Sequence, residues 1–271
     1  METGAERLEA AAESADRLRR ASSFGAAAGQ YARHRPAYAE AAIRWCLAPG
    51  SGAQPVRVAD VGAGTGILTG ALARLGADVV AVEPDQAMLA ELRHELPGVR
   101  AVEGSAEALP LPDQSVDAVL CGQSMHWFDL DRALPEIARV LAPGGVLAGL
   151  WNTDDDRVGW VAGLTAISKS SSTLSGWRAA PEADAEWGVL RAGSSWFAPV
   201  QEHEFGNGQL RSADSLVATI ATHSRMLVMD EAERARTLAA IRDFLHRQPE
   251  TSAGEFTLPL VTVALRAARR P

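Results

Sequence analysis

Between Val56 and Trp151 the chain alternates short apolar runs with longer stretches in which apolar residues return at helical spacing. The first run carries Val56, Val58, Ala59 and Val61 and reads as a strand buried on both faces, the pattern of a parallel sheet covered by helices. It breaks at Gly62, Gly64 and Gly66 and reopens as the helical stretch ILTGALARLG, stopped by Gly76. A second run, Ala77 to Glu83, precedes Asp85, which can cap a helix carrying Leu89, Leu92 and Leu96 and ended by Pro97-Gly98. Val99 to Val102 and Val116 to Cys121 read as the third and fourth strands. Leu134, Ile137, Ala138 and Leu141 mark a helix closed by Pro143-Gly144-Gly145, before a fifth strand from Val146 to Trp151. Strands and helices in this alternation predict a doubly wound α/β sheet with its ligand crevice at the carboxyl ends of the strands.

The pattern weakens on both flanks. Leu8, Ala11, Ala15 and Leu18 give a weakly amphipathic N-terminal helix with a mostly alanine face, which suits a loosely held arm or a dimerisation element. The segment SFGAAAGQYARHRPAYAEAAIRWCLA is a helical lead-in, in which Pro36 pushes Arg35 towards an extended conformation, and Pro49 to Pro55 is a loop. Beyond Asp154, Val161, Leu164 and Ser168 suggest one helix and SKSSSTLSG a polar loop. Trp151, Trp160, Trp177, Trp187 and Trp196 crowd this region, as a lid over the strand ends or as a satellite core. Glu202 to Phe205 reads as a short strand, Asp230 and Glu233 as a capping box for a helix with Leu238, Ile241 and Leu245, and Phe256 to Leu265 as β-rich.

The glycine turn carries the first chemistry. Its glycines let the backbone approach a ligand closely, and the following helix start favours an anionic group. A dinucleotide fingerprint would place its third glycine where Ile67 stands, and no Lys followed by Ser or Thr marks a Walker loop. Pyrophosphate is the poorer guest. Glu83, an acid at the end of an apolar strand about twenty residues beyond the first glycine, can instead accept both hydroxyls of a ribose. Asp60, just before the loop, is placed to hold it or to meet an amino group through hydrogen bonds.

Composition narrows the partners. With 34 acids against 26 Lys and Arg the net charge is −8, and no basic run tracks a phosphate backbone. Nucleic acid is therefore not expected as partner. Cys46 and Cys121 sit in apolar segments without metal-ligand spacing and read as buried thiols. No apolar run approaches a membrane span, and the acidic, alanine-rich N-terminus lacks a signal-peptide core, so a soluble cytoplasmic protein, monomer or homodimer, is expected.

Four ordered motifs resemble the class I S-adenosylmethionine-dependent methyltransferases: VADVGAGTG, PDQAM after Glu83, EGSAEALPLPDQSVDAVLC and PEIARVLAPGGVLAGLWN. Within that family QSMHWFD, Gln123 to Asp129, is similar to the small-molecule, trans-aconitate methyltransferase-like group. The resemblance implies a seven-stranded mostly parallel sheet with a helical lid and a late antiparallel strand at Phe256 to Leu265. It implies a single domain over 21–271 after an arm at 1–20, with the cofactor core at about 54–151, the lid at about 152–200 and C-terminal strands and helices from 201. For S-adenosylmethionine and its product S-adenosylhomocysteine it implicates Asp60, Gly62, Ala63, Gly64, Thr65, Gly66, Glu83, Pro84 and Met88, with Ser105, Ala106 and Glu107 at the adenine. Tyr31 and Arg35, in a Tyr-x-x-x-Arg-Pro segment, and Gln123 would cover the methionine end. His126 is the candidate base, or a packed residue beside Trp127; Trp127 and Trp151 join it as acceptor contacts. Many members carry Asp where Ser105 stands.

The implied reaction is methyl transfer to an oxygen or nitrogen of a small molecule. The rivals are a protein that binds the cofactor without transfer and an NAD-dependent oxidoreductase. Methyl loss from labelled cofactor separates transfer from binding alone, and calorimetry excludes the oxidoreductase: S-adenosylhomocysteine should bind and NAD should not, and Glu83→Ala should weaken the former by about 1.5–3 kcal/mol. An unchanged dissociation constant in a folded Glu83→Ala protein would remove the ribose role.

Overall fold

The computed structural model describes residues 35–48, 55–168, 193–221, 226 and 229–271. The N-terminal arm, Tyr31, the polar loop, Trp177 and Trp187 lie outside these residues. From the amino end, α1 (Glu40–Leu47) leads into β1 (Arg57–Val61), α2 (Ile67–Arg74), β2 (Asp78–Glu83), α3 (Gln86–Glu95) and β3 (Arg100–Glu103). Then come β4 (Val116–Gly122), a 3₁₀ turn (Met125–Trp127), α4 (Leu130–Val140), β5 (Leu141–Asp154) and α5 (Gly159–Ser168). The chain closes with β6 (Gln201–Ser212), α6 (Ala213–Ala221), α7 (Glu231–Arg247) and β7 (Glu255–Ala268).

The strands form one seven-stranded sheet in the order β3-β2-β1-β4-β5-β7-β6. The first five are parallel, and β7 runs antiparallel to both β5 and β6, so the doubly wound, mostly parallel sheet expected from the sequence is the fold. The order reverses between β1 and β4, the point at which open α/β sheets place a ligand crevice outside the strands' carboxyl ends. Leu68, Leu72, Ala42 and Ile43 cover one face of the sheet, and Ala133, Leu134 and Ile137 of α4 cover the other. A third cluster joins α5, α6 and α7 to Phe256, Leu258 and Leu260 of β7. Trp160 belongs to that satellite core, edge-on to Phe256 with ring centroids 5.6 Å apart.

Local chemistry sets the boundaries. Asp85 accepts from the N–H groups of Ala87 and Met88, both at 2.9 Å, and Asp230 accepts from Glu233 N at 2.8 Å, so both caps form as the sequence indicates. At the amino ends of β1 and β4 the buried Asp117 receives the Arg57 backbone N–H and its guanidinium, with Nη2 to Oδ1 at 2.7 Å. Three expectations change. Leu141, which fits the helical spacing of its neighbours, begins β5 opposite Val116, because the helix has already ended at Val140. The short strand at Glu202–Phe205 is twelve residues long; Gly206 and Gly208 break its apolar pattern, while β7 supplies the pairing. The helix Ala213–Ala221 gave no signal that was read as an element.

Trp151 is wholly buried in the cluster beneath α4, its ring lying across Gly149, where an added Cβ would come within 2.3 Å of the ring. Gly149→Ala should therefore destabilise the protein by about 1–3 kcal/mol through overpacking, read as a lowered midpoint in denaturant unfolding with unchanged slope.

Candidate functional site

The crevice is built at the ends of β1, β2 and β4. Gly62, Gly64 and Gly66 all hold positive φ, which only glycine adopts without strain, and Gly66 supplies the left-handed entry to α2. The N–H groups of Gly62 and Ala63 reach back to Val82 O at 2.9 and 3.2 Å, so the loop folds over the end of β2. Glu83 completes the turn. Its Oε2 accepts from Gly64 N at 2.7 Å and its Oε1 from Asp85 N at 2.9 Å, so the negative charge that the loop's amides attract is the protein's own carboxylate. Burial nevertheless raises the Glu83 pKa, against these two hydrogen bonds.

Asp60 lies fully buried at the end of β1. Its Oδ2 accepts the Thr69 hydroxyl proton at 2.6 Å, while its Oδ1 meets no partner among the described residues. Burial first, and then the Glu83 charge, push it up to about 7. On the β4 side, Gln123 holds φ +51, an uncommon backbone state for this residue type, fixed by its N–H to Leu150 O at 2.8 Å. Its Oε1 accepts from Arg35 Nη1 at 3.2 Å. Ser124 donates its hydroxyl to Val61 O at 2.7 Å and packs so closely on Gly62 that a Cβ there would lie 2.5 Å from the serine Cβ.

His126 follows in the 3₁₀ turn, tilted on Trp127 with centroids 4.8 Å apart. Its Nδ1 is buried without a partner among the described residues. Burial, with the Arg35 charge behind it, lowers its pKa to about 4, so the ring is neutral at physiological pH. Arg35 is itself half-buried, and desolvation of its guanidinium lowers it to about 10.

The other predicted residues divide. Met88 is buried with its sulfur bordering Gly64, Thr65 is buried and Pro84 is exposed beside Glu83. Ser105 and Ala106 follow β3, with Ser105 bridged to Ala108 and Ala106 in the core. Glu107 receives Asp129 N at 2.9 Å and ties this loop to the start of α4. Arg139 braces the same loop from Leu111 O, Leu109 O and Asp113. Trp151 belongs to the core and does not line the crevice, a correction to the acceptor set; a tryptophan at the end of an apolar strand does not disclose which face it takes.

Residues 59–149 match the family model described as Methyltransferase domain. An uncharacterized methyltransferase of Mycobacterium tuberculosis is 40% identical over 247 residues, covering 90% of this chain and 95% of that one. A malonyl-[acyl-carrier protein] O-methyltransferase of Methylococcus capsulatus is 44% identical over 103 residues, 36% of this chain and 38% of that one. A solved structure of a candidate type II methyltransferase from Anaeromyxobacter dehalogenans superposes with a TM-score of 0.65 at 27% identity, covering 87% of this chain and 97% of that one. The chain belongs to the class I S-adenosylmethionine-dependent methyltransferases.

Two contributors to this methyltransferase's crevice escaped the sequence reading. Tyr38 brings its hydroxyl to the end of β4, where a Cβ on Gly122 would sit 2.6 Å from it, and burial raises its pKa. Ser124 buttresses the glycine loop. The signals were a tyrosine just after Arg-Pro and a serine inside QSMHWFD, neither distinctive without the fold.

The buried ionisable pair gives opposite pH signatures. Asp60 titrates higher folded than unfolded, so the folded state binds more protons between about 4 and 7 and its contribution to stability falls as pH rises. His126 titrates lower folded than unfolded, so its contribution rises with pH between about 4 and 6.5. Relative to wild type, Asp60→Asn should make stability increase more steeply across pH 4–6.5, and His126→Asn should make it increase less. Chemical denaturation at several pH values measures both slopes; equal slopes in all three proteins would contradict the buried states.

Proposed function

We propose that this methyltransferase carries a methyl group from S-adenosylmethionine to an oxygen or nitrogen of a small-molecule acceptor and releases S-adenosylhomocysteine. The observation that carries the reading is the Glu83 carboxylate, buried at the end of β2 and already clasping the glycine loop. Each of its oxygens keeps a second lone pair, the right number for two ribose hydroxyls. The glycine loop fits beside it: among the described residues an added Cβ at Gly64 would meet only the Met88 sulfur, at 3.9 Å, so a ligand can lie against the backbone. Asp60 Oδ1 is a buried acceptor suited to a cationic amino group.

In this assignment Gly62, Ala63, Gly64, Thr65 and Gly66 line the cofactor, Pro84 and Met88 border its ribose, and Ser105, Ala106 and Glu107 border its adenine. Arg35 and Gln123, with Tyr31, take the methionine end. When bound, the cofactor supplies a methyl already activated by a positively charged sulfur. The chain's task is to hold the acceptor lone pair in line with the bond that breaks and to keep water out.

His126 and Trp127 stand at the acceptor side. A histidine held near pKa 4 is a weak base, so the reading favours an acceptor that is already nucleophilic at the working pH, with His126 orienting it through a neutral ring nitrogen. The acidic balance supports a small acceptor rather than a polynucleotide.

The test is methyl transfer from labelled S-adenosylmethionine to panels of small carboxylates, phenols and amines, with tRNA and DNA alongside. Turnover should appear on a small acceptor, its pH profile should follow that acceptor's own pKa, and His126→Asn should leave the shape of the profile unchanged. A break at pH 6–7 that is independent of the acceptor and absent in His126→Asn would make His126 the base. Label in nucleic acid alone would refute the small-molecule reading.

A further inference from the structure

The segment Arg35–Ala39 crosses the sheet ahead of α1 without belonging to any strand, so its backbone groups need partners from side chains. They find them in a polar cluster at the carboxyl end of β5. Asn152 Nδ2 donates to Pro36 O at 3.1 Å and to Ala37 O at 3.2 Å. Asn207 Nδ2 donates to Ala37 O at 2.7 Å. Thr262 Oγ1 accepts from Ala39 N at 3.0 Å. The three side chains also bind one another: Thr262 Oγ1 donates to Asn152 Oδ1 at 2.6 Å, and Asn207 Nδ2 approaches the same oxygen at 3.0 Å and Thr262 Oγ1 at 3.1 Å.

They come from three adjacent strands, β5, β7 and β6, and Asn152 and Thr262 are wholly buried and face each other across the ladder. A buried amide costs stability unless it is hydrogen-bonded, and the Asn152 NH2 is satisfied by holding this strap. The strap in turn delivers two side chains to the crevice, Arg35 onto Gln123 Oε1 and Tyr38 against Gly122.

We propose that Asn152, Asn207 and Thr262 are positioning residues that fix the strap's backbone and thereby set Arg35 and Tyr38 at the mouth of the crevice. Cofactor affinity is then governed in part from the far edge of the sheet. This rests on the reading of the crevice as the cofactor site, and the two are separable: the wild-type protein's binding of S-adenosylhomocysteine tests the site, and the variants test the cluster.

Thr262→Val keeps the volume and removes the hydroxyl, Thr262→Ser keeps the hydroxyl, and Asn207→Ala acts at the more exposed edge strand. Calorimetry with S-adenosylhomocysteine and hydrogen exchange of the amides of residues 37–40 are measured on each full-length protein. Thr262→Val and Asn207→Ala should each weaken binding about tenfold and speed exchange in the strap but not in β1, and Thr262→Ser should restore both. Thr262→Val combined with Arg35→Ala should weaken binding by clearly less than the product of the two single effects, because both act through one contact. If Thr262→Val does not fold, Asn207→Ala and its combination with Arg35→Ala carry the same test. Wild-type affinity in the folded variants, or fully multiplicative effects with Arg35→Ala, would overturn the proposal; absence of binding by the wild type would overturn the site reading and the proposal with it.

Discussion

The site depends on a carboxylate that does two jobs with one charge. Glu83 ends β2 with both oxygens held by backbone N–H groups, one from the glycine loop and one from the residue capping α3. A buried charge is tolerated only where donors replace the water it has lost, and the Gly64 and Asp85 amides are those donors. The same contacts fix the loop. Without an acceptor there, Gly64 N would face the crevice unpaired, and the turn from β1 into α2 would lose its tie to the neighbouring strand.

Around this clasp the charges are arranged to disfavour one another until a ligand arrives. Burial raises the cost of ionising both Asp60 and Glu83, and a neighbouring charge adds to it, that of Glu83 at Asp60 and that of Asp85 at Glu83. Across the crevice Arg35 and burial keep His126 neutral. A ligand bearing a positive amino group and sulfur would relieve the acidic side. That is an electrostatic reason for a cationic guest, independent of the motif spacing that first suggested it.

The sheet contributes more than a platform. Its parallel half carries the glycine loop and Glu83, while β7, and β6 with its weak apolar signal, meet β5 in the polar cluster that holds the strap ahead of α1. The satellite core of α5, α6 and α7 settles part of the tryptophan question. Trp160 packs there, and Trp151 packs in the main core.

The parallel half of the fold was legible because its strands are short apolar runs buried on both faces and its turns need glycine. Those requirements are local: Asp85 caps the helix that starts at the next residue, and Glu83 meets the glycine loop one strand–helix–strand unit before it. The glycine loop, the acid that clasps it and the cap beside it were legible for the same reason, since all three lie within about one βαβ unit. What the sequence could not decide was set by contacts between distant segments. The length of β6 comes from pairing with β7 rather than from its own pattern, and Leu141 joins a strand because Val116 is there to pair with it. Trp151 turned to the core, His126 lost its basicity to burial, and Asn152, Asn207 and Thr262 converged on a backbone more than a hundred residues away. Burial, pairing and charge coupling are properties of neighbours in space, and only the folded chain brings those neighbours together.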